Sequence, residues 1–306
     1  MKISNKEFKK YLGKTLPPLL KIKIQKSNLI YNYLNKKQYN NYLQKIIKSL
    51  IEINIKKSGK EYKNKWEKGW HENYSKFKKS NNLLDLIPKY FFKEKVSRIG
   101  NDLIKTKQKY FDYKILNLIT SYIFEKYLKN EKKIVELGCG TGHNLLNLNS
   151  YNSKAKLYGL DWVSSSQKIL KLISIKHPNI QGYKFDYFNP RFKKNLNLSK
   201  NEWCCYTVAS LEQIGGNFKK YINFLIKNKP KLVINIEPIN ELMDKTLILD
   251  YLSVKYSQKR NYLYGYYSYL KTLEKKKFIK IIEVKKSHFG SLYINGYSII
   301  VWKFIE

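Results

Sequence analysis

Three glycines spaced two apart, Gly138, Gly140 and Gly142, stand between an apolar run at 133–137 (KIVEL) and a stretch of helical periodicity. Glycines at such a turn let the chain pass sharply from strand to helix and let a ligand approach the backbone. A diphosphate cradle of the dinucleotide type needs a further glycine at 143, where His143 stands, so the loop suits a different ligand. Carboxylates follow at successive β runs: Glu136, then Asp161 nineteen residues past Gly142, then Asp186. Ionised carboxylates accept hydrogen bonds from hydroxyl and amino groups, and open α/β sheets bind ligands at the carboxyl ends of their strands.

Two further segments could do acid–base work. The fourth β run ends in Ala209-Ser210-Leu211-Glu212-Gln213 and the fifth in Asn235-Ile236-Glu237-Pro238. Candidate general bases are Glu237, Glu212 and His288, in that order, because acids are scarce and Pro238 fixes the turn after Glu237. Each has a plainer reading. Glu212 could be a helix-start carboxylate, and Glu237 could pair with Arg260 or a surface lysine. Arg260 is one of three arginines and lies in the tyrosine-rich stretch 256–269; it could equally bind an anionic substrate group. Tyr262, Tyr266 and Tyr269 are placed on one helical face, as core. The four histidines have no i, i+4 spacing, so no metal site is expected.

The elements that must position these groups follow from periodicity. From residue 133 onward, β runs at 133–137, 156–161, 182–186, 203–210 and 231–238 alternate with helical patterns, notably at 164–175 and 218–227. Runs at 278–286 and 296–304 close the chain with no room for a helix between them, so they should be antiparallel to each other. This is an α/β pattern: a doubly wound, mostly parallel seven-stranded sheet of Rossmann-like type. Upstream, three helices are expected. One at 38–55 puts Leu43, Ile46, Ile47, Leu50 and Ile51 on an apolar face; one at 59–79 carries the aromatic stripe Tyr62, Trp66, Trp70, Tyr74 and Phe77; one runs from about 108 to 128. The stripe reads as core. The division is an all-helical cap over 1–111 and a ligand-binding domain over 112–306, the cap serving substrate and being dispensable for cofactor.

Composition bounds the rest. Of 306 residues 43% are hydrophobic, enough for a full core, and no run of about 18 apolar residues predicts a membrane span. The N-terminal segment lacks the apolar stretch of a signal peptide, and three cysteines without a CxxC pair suit a reduced compartment; a cytoplasmic protein is expected. The formal charge is +37, yet 57 of the 60 basic residues are lysines, and the basic residues are spread as 31 in 1–130 and 29 in 131–306. An even lysine excess reads as compositional bias more than as a phosphate-gripping surface, leaving a nucleic-acid partner possible but not favoured.

The Glu136–Gly142 segment, with strand before and helix after, resembles the first motif of class I S-adenosylmethionine-dependent methyltransferases. The resemblance covers about 112–306. It implies S-adenosyl-L-methionine as cofactor, held by Gly138, Gly140 and Gly142, with Glu136 near the methionine ammonium group. Asp161 would take the ribose hydroxyls, Trp162 the adenine face, Asp186 the adenine amino group, and Ser210 would lie beside the cofactor. The family's [DNS]-P-P-[YFW] motif of nucleic-acid amino methylation is missing after the fourth run. The expected activity is methyl transfer to a hydroxyl or amine of a small molecule. The alternatives are an RNA methyltransferase using the basic surface and a catalytically inactive, cofactor-binding interaction module.

Overall fold

The computed structural model describes all residues except 54, 93–94, 193–195 and 306. The N-terminal part comprises α1 (Asn5–Leu12), α2 (Pro18–Ser27), β1 (Asn32–Tyr33), α3 (Lys36–Ile51), α4 (Lys63–Ser80), β2 (Val96–Ile99) and β3 (Asp102–Lys105). Then follow α5 (Phe111–Ile123), β4 (Lys133–Leu137), α6 (His143–Asn149), β5 (Lys156–Asp161), α7 (Ser164–Lys176) and β6 (Ile180–Lys184). The chain continues with β7 (Cys204–Val208), α8 (Lys219–Asn228), β8 (Leu232–Glu237), α9 (Ile248–Lys259), α10 (Tyr266–Lys275), β9 (Ile279–Lys285), β10 (Phe289–Ser291) and β11 (Ser298–Phe304).

The seven-stranded sheet has the order β6-β5-β4-β7-β8-β11-β9. Strands β4 to β8 pair in parallel, and β11 is antiparallel to both β8 and β9. The order reverses at β4, so the loops after β4 and β7 open a crevice at the carboxyl edge. Alternation within a strand sorts side chains to two faces. In β4, Ile134 packs under α5 and α6, while Val135 and Leu137 pack on the opposite face with Trp203, Tyr221 and Trp302. Glu136 shares the parity of Ile134, which decides its fate below.

The cap departs from expectation: it is not all helical. Strands β1, β3 and β2 form an antiparallel sheet that β10, from the far end of the chain, completes. The reason is legible afterwards, since Val96–Ile99 and Asp102–Lys105 flank Gly100, whose φ of 62° suits a tight hairpin. The helix expected over 38–55 is α3, ending at Ile51; residue 54 lies outside the described residues. Of its expected apolar face only Ile46 is fully buried, and Ile51 is 72% exposed. Tyr262 lies in the turn between α9 and α10, so it shares no helical face with Tyr266 and Tyr269. One hydrophobic cluster runs from Ile3, Phe8 and Leu20 through Phe111 and Ile119 to Ile134 and Leu145, so the core crosses residue 111 without a break. No described helix is long and apolar enough to cross a membrane.

Candidate active site

The loops after β4, β5 and β7 face α4 and the turn after α9 across a cavity of about 940 Å³. Its floor is the glycine loop. Gly138 has a φ of 75°, and a Cβ there would lie 2.5 Å from the Cβ of Ser210, so only glycine permits this approach of the β4 and β7 loops. Gly140, at a φ of 54°, is covered by the cap: a Cβ on it would come within 3.1 Å of the Trp70 ring. The space left by its missing side chain is therefore filled by Trp70.

Asp161 is buried at the end of β5, and its two oxygens accept the N–H of Gly140 at 2.8 Å and of Val163 at 3.2 Å. Burial pushes its carboxyl up to about 6, against the pull of these N–H groups. A carboxylate has about four acceptor sites, and the Trp162 N–H and the Ser166 hydroxyl also bear on this one, so ligand hydroxyls would share its oxygens with protein donors. Trp162 lines the cavity beside Asp161, its ring 6.0 Å from that of Phe188. Tyr187 donates to the carbonyl of Leu137 at 2.7 Å and meets Ser210 Oγ at 3.0 Å, tying the loops after β4, β6 and β7 together.

Glu136 and Asp186 do not line the cavity. Glu136 accepts from Asn144 Nδ2 at 2.8 Å and from the Tyr206 hydroxyl at 3.1 Å, wholly inside the layer between sheet and helices. Its strand parity puts it beneath α6, where it orients Asn144, which does line the cavity. Asp186 lies in the turn after β6 and accepts the N–H of Phe188 at 2.8 Å, a local Asx bond.

On the opposite side stand Glu212, Arg260, Tyr62, Tyr256 and Tyr262. Glu212 is held by Gln213 Nε2 at 2.7 Å, and burial, reinforced by Glu237, pushes its carboxyl up to about 8. Glu237, the leading base candidate, is fully buried and outside the lining. Its oxygens accept the N–H groups of Ser210, Leu211 and Glu212 at 3.1–3.2 Å, so it clamps the turn after β7. That turn needs a clamp, because Ala209 sits at a φ of 45°, costly for a residue with a side chain. His288 is also outside the lining: it stacks on Tyr11 at 4.8 Å beside the small sheet. Neither is placed to reach a substrate in this cavity. Of the acids that follow β8, Asp250 in α9 pairs with Lys286, and Glu241 accepts the N–H of Tyr267 at the start of α10.

Several lining residues escaped the sequence reading. Tyr62, Trp66 and Trp70 belong to the stripe read as core and also line the cavity; Trp70 is at the same time a buried member of the hydrophobic cluster that holds Phe77. Asp112 opens on the cavity, bonded by the Ser97 hydroxyl, and surrounding protein pushes its carboxyl up to about 7. His143, seen in sequence only as a missing glycine, lines it too. Thr141 Oγ1 donates to the carbonyl of Leu86 at 2.6 Å and contacts His143 Nδ1 at 3.0 Å, so Nδ1 carries the proton and Nε2 is an unpartnered acceptor. Burial pulls this imidazole down to about 4, so it is neutral near pH 7. Among the described residues no group of three or more His, Cys, Asp or Glu could hold a metal ion.

No protein-family model matches the sequence. The chain is similar to a carboxy-S-adenosyl-L-methionine synthase of Campylobacter hominis, with 29% identity over 184 residues, 58% of this chain and 74% of that protein. Among solved structures it is similar to an O-methyltransferase from neocarzinostatin biosynthesis (13% identity, TM-score 0.45, 64% of this chain and 57% of that one). It is also similar to the mitomycin 7-O-methyltransferase MmcR (10%, TM-score 0.46, 64% and 56%) and to a SAM-dependent methyltransferase from Aquifex aeolicus (14%, TM-score 0.41, 61% and 89%). The chain spans little more than half the length of the first two of these structures.

Proposed function

We propose that this chain, which has the sheet order and glycine loop of the class I S-adenosylmethionine-dependent methyltransferases, is an enzyme that transfers a methyl group from S-adenosyl-L-methionine to a hydroxyl or amine of a small molecule. One observation carries the reading: a single cavity joins the glycine loop and Asp161 on one side to Glu212 and Arg260 on the other. The residues fit the cofactor. Asp161 sets a buried carboxylate in the cavity wall where a diol can reach it, Trp162 offers an aromatic face, and the unpartnered His143 Nε2 lies near the glycine loop. When bound, S-adenosyl-L-methionine supplies an electrophilic methyl group on a sulfonium.

The chain's own groups then have distinct work. The glycine loop, Asp161 and Ser210 position the donor. The cap residues Trp66 and Trp70 cover the site and exclude water, which favours a small, enclosed acceptor over a polymer. Glu212 is the one of the three expected bases that lines the cavity, and it takes the acceptor's proton as the new bond forms. Alignment of the reactants supplies much of the rate.

The similarity to a carboxy-S-adenosyl-L-methionine synthase supports a second reading, in which S-adenosyl-L-methionine is the acceptor and takes its carboxyl group from a carboxylate-bearing co-substrate, which leaves decarboxylated. Mass spectrometry of the nucleoside products tests both. Formation of S-adenosylhomocysteine with a methylated small molecule supports methyl transfer, and a carboxylated sulfonium supports the alternative. Failure of the protein to bind S-adenosyl-L-methionine in calorimetry overturns both.

A further inference from the structure

We infer that Arg260, framed by Tyr62 and Tyr262, is a subsite for a single carboxylate on the acceptor, so that the acceptor is a small, ring-bearing monoanion. The inference rests on the acceptor reading of the cavity and names its substrate class. Elsewhere acids find bases: Glu283, Asp250, Glu131, Glu202 and Glu72 all pair with lysines. Among the described residues no carboxylate lies within ion-pair distance of Arg260, although it is set into the cavity wall.

Its Nε is buried without a hydrogen-bond partner, while the rest of the guanidinium meets only neutral hydroxyls, that of Tyr62 at 3.5 Å from Nη1 and that of Tyr262. A guanidinium taken from water without a counter-ion is costly, and a planar carboxylate answers its fork. The group is also held ready. The Arg260 carbonyl accepts the N–H of Ser58 at 2.8 Å, Asn261 Nδ2 donates to the Ser58 carbonyl at 3.1 Å, and the rings of Tyr62 and Tyr262 lie 5.5 and 5.2 Å from the guanidinium carbon. One charge is the fit: Lys68 is exposed, Lys89 is paired with Glu72, Lys65 is engaged by the Tyr62 hydroxyl at 3.2 Å, and Glu212, which feels the Arg260 charge, repels further negative charge. Trp66, Tyr256 and Tyr262 supply flat apolar walls for a ring.

The test is calorimetric titration of the full chain with benzoate, benzamide and inorganic phosphate, with and without saturating S-adenosylhomocysteine. Benzoate should bind at least tenfold tighter than the isosteric neutral benzamide and tighter than phosphate. Arg260→Gln should abolish the preference for benzoate while S-adenosylhomocysteine affinity stays within twofold, and Arg260→Lys, which keeps the charge and loses the fork, should fall between. Equal binding of benzoate and benzamide by the unaltered protein overturns the inference without recourse to a variant, as does tighter binding of phosphate or a full benzoate preference in a folded Arg260→Gln protein. Loss of S-adenosylhomocysteine binding by the unaltered protein would instead overturn the cofactor reading, and the benzoate comparison without it would still judge Arg260.

Discussion

The Glu237 carboxylate accepts the backbone N–H of Glu212 at 3.1 Å, so one buried acid at the end of β8 presents another to the cavity. The same Glu237 also takes the N–H groups of Ser210 and Leu211 on its other oxygen. A base at Glu237 would have to release this turn in order to act. Its part is to position, and Glu212 is the one of the three candidate bases that lines the cavity.

Replacing Glu237 by Gln keeps one acceptor oxygen for Ser210 and Leu211 but sets an amide N–H₂ against the N–H of Glu212. An unsatisfied buried donor costs roughly 1–3 kcal/mol, which urea denaturation should report as a lowered midpoint with an unchanged slope. A variant as stable as the parent would show that the clamp contributes nothing.

Glu212 works as a base only when ionised. Burial, then the neighbouring Glu237 charge, raises it to about 8, so kcat should climb with pH and level off above that value. Glu237→Gln removes the repelling charge and should move the inflection to lower pH. Glu212→Gln should lower kcat about 10²–10⁴-fold and leave cofactor affinity intact. If kcat is flat with pH in the parent, the acceptor reaches the site already nucleophilic.

Asp161→Ala tests the proposed ribose contact and frees the N–H of Gly140 and Val163. Cofactor affinity should fall by about 1.5–3 kcal/mol in calorimetry. In the parent, Asp161 ionises near pH 6, so affinity should be full above that value and decline as pH falls through it. An affinity within about threefold of the parent would remove the ribose role.

Glu67 of α4 reaches across to the start of α7, accepting the N–H of Ser164 at 2.7 Å and of Ser165 at 3.0 Å as well as both hydroxyls. It caps, from α4, a helix that flanks the seven-stranded sheet. Glu67→Ala should cost about 1 kcal/mol, in the range of lost N-caps. The Ser164 and Ser165 bonds hold its carboxyl below the usual carboxylate range even against burial. Its contribution is therefore present above the unfolded value near 4.5 and is lost as pH falls through the lower folded one. Thermal melts of parent and variant should converge in acid, and a constant difference down to pH 2 would reject the latch.

A fragment starting near Lys107 should not fold. Sequence alone made the first 110 residues dispensable for cofactor binding, but the core passes unbroken from Phe8 and Leu20 to Phe111 and Ile134, and β10 pairs with β2. Removing the cap exposes that face and leaves β10 unpaired. A cooperative melt and retained cofactor binding in the fragment would show the two parts to be separable.

The sequence by itself determined the α/β architecture, the seven strands and the glycine loop. Short-range periodicity and the steric demands of Gly138 are local properties, written within a few residues. It also marked Asp161, Trp162, Ser210, Glu212 and Arg260, all of which line the cavity. Tertiary structure decided which face each marked residue presents. Strand parity buried Glu136 under α6, and the turn after β7 turned Glu237 into a clamp. The same holds for the aromatic stripe: Tyr62, Trp66 and Trp70 look like core along a helix, and only the docking of α4 over Gly140 makes them a wall. Asp112 and His143 gave no signal, because a lone acid or imidazole acquires its role from neighbours distant in the chain. Those neighbours, Ser97 and Leu86 among them, come together only when the cap closes on the sheet.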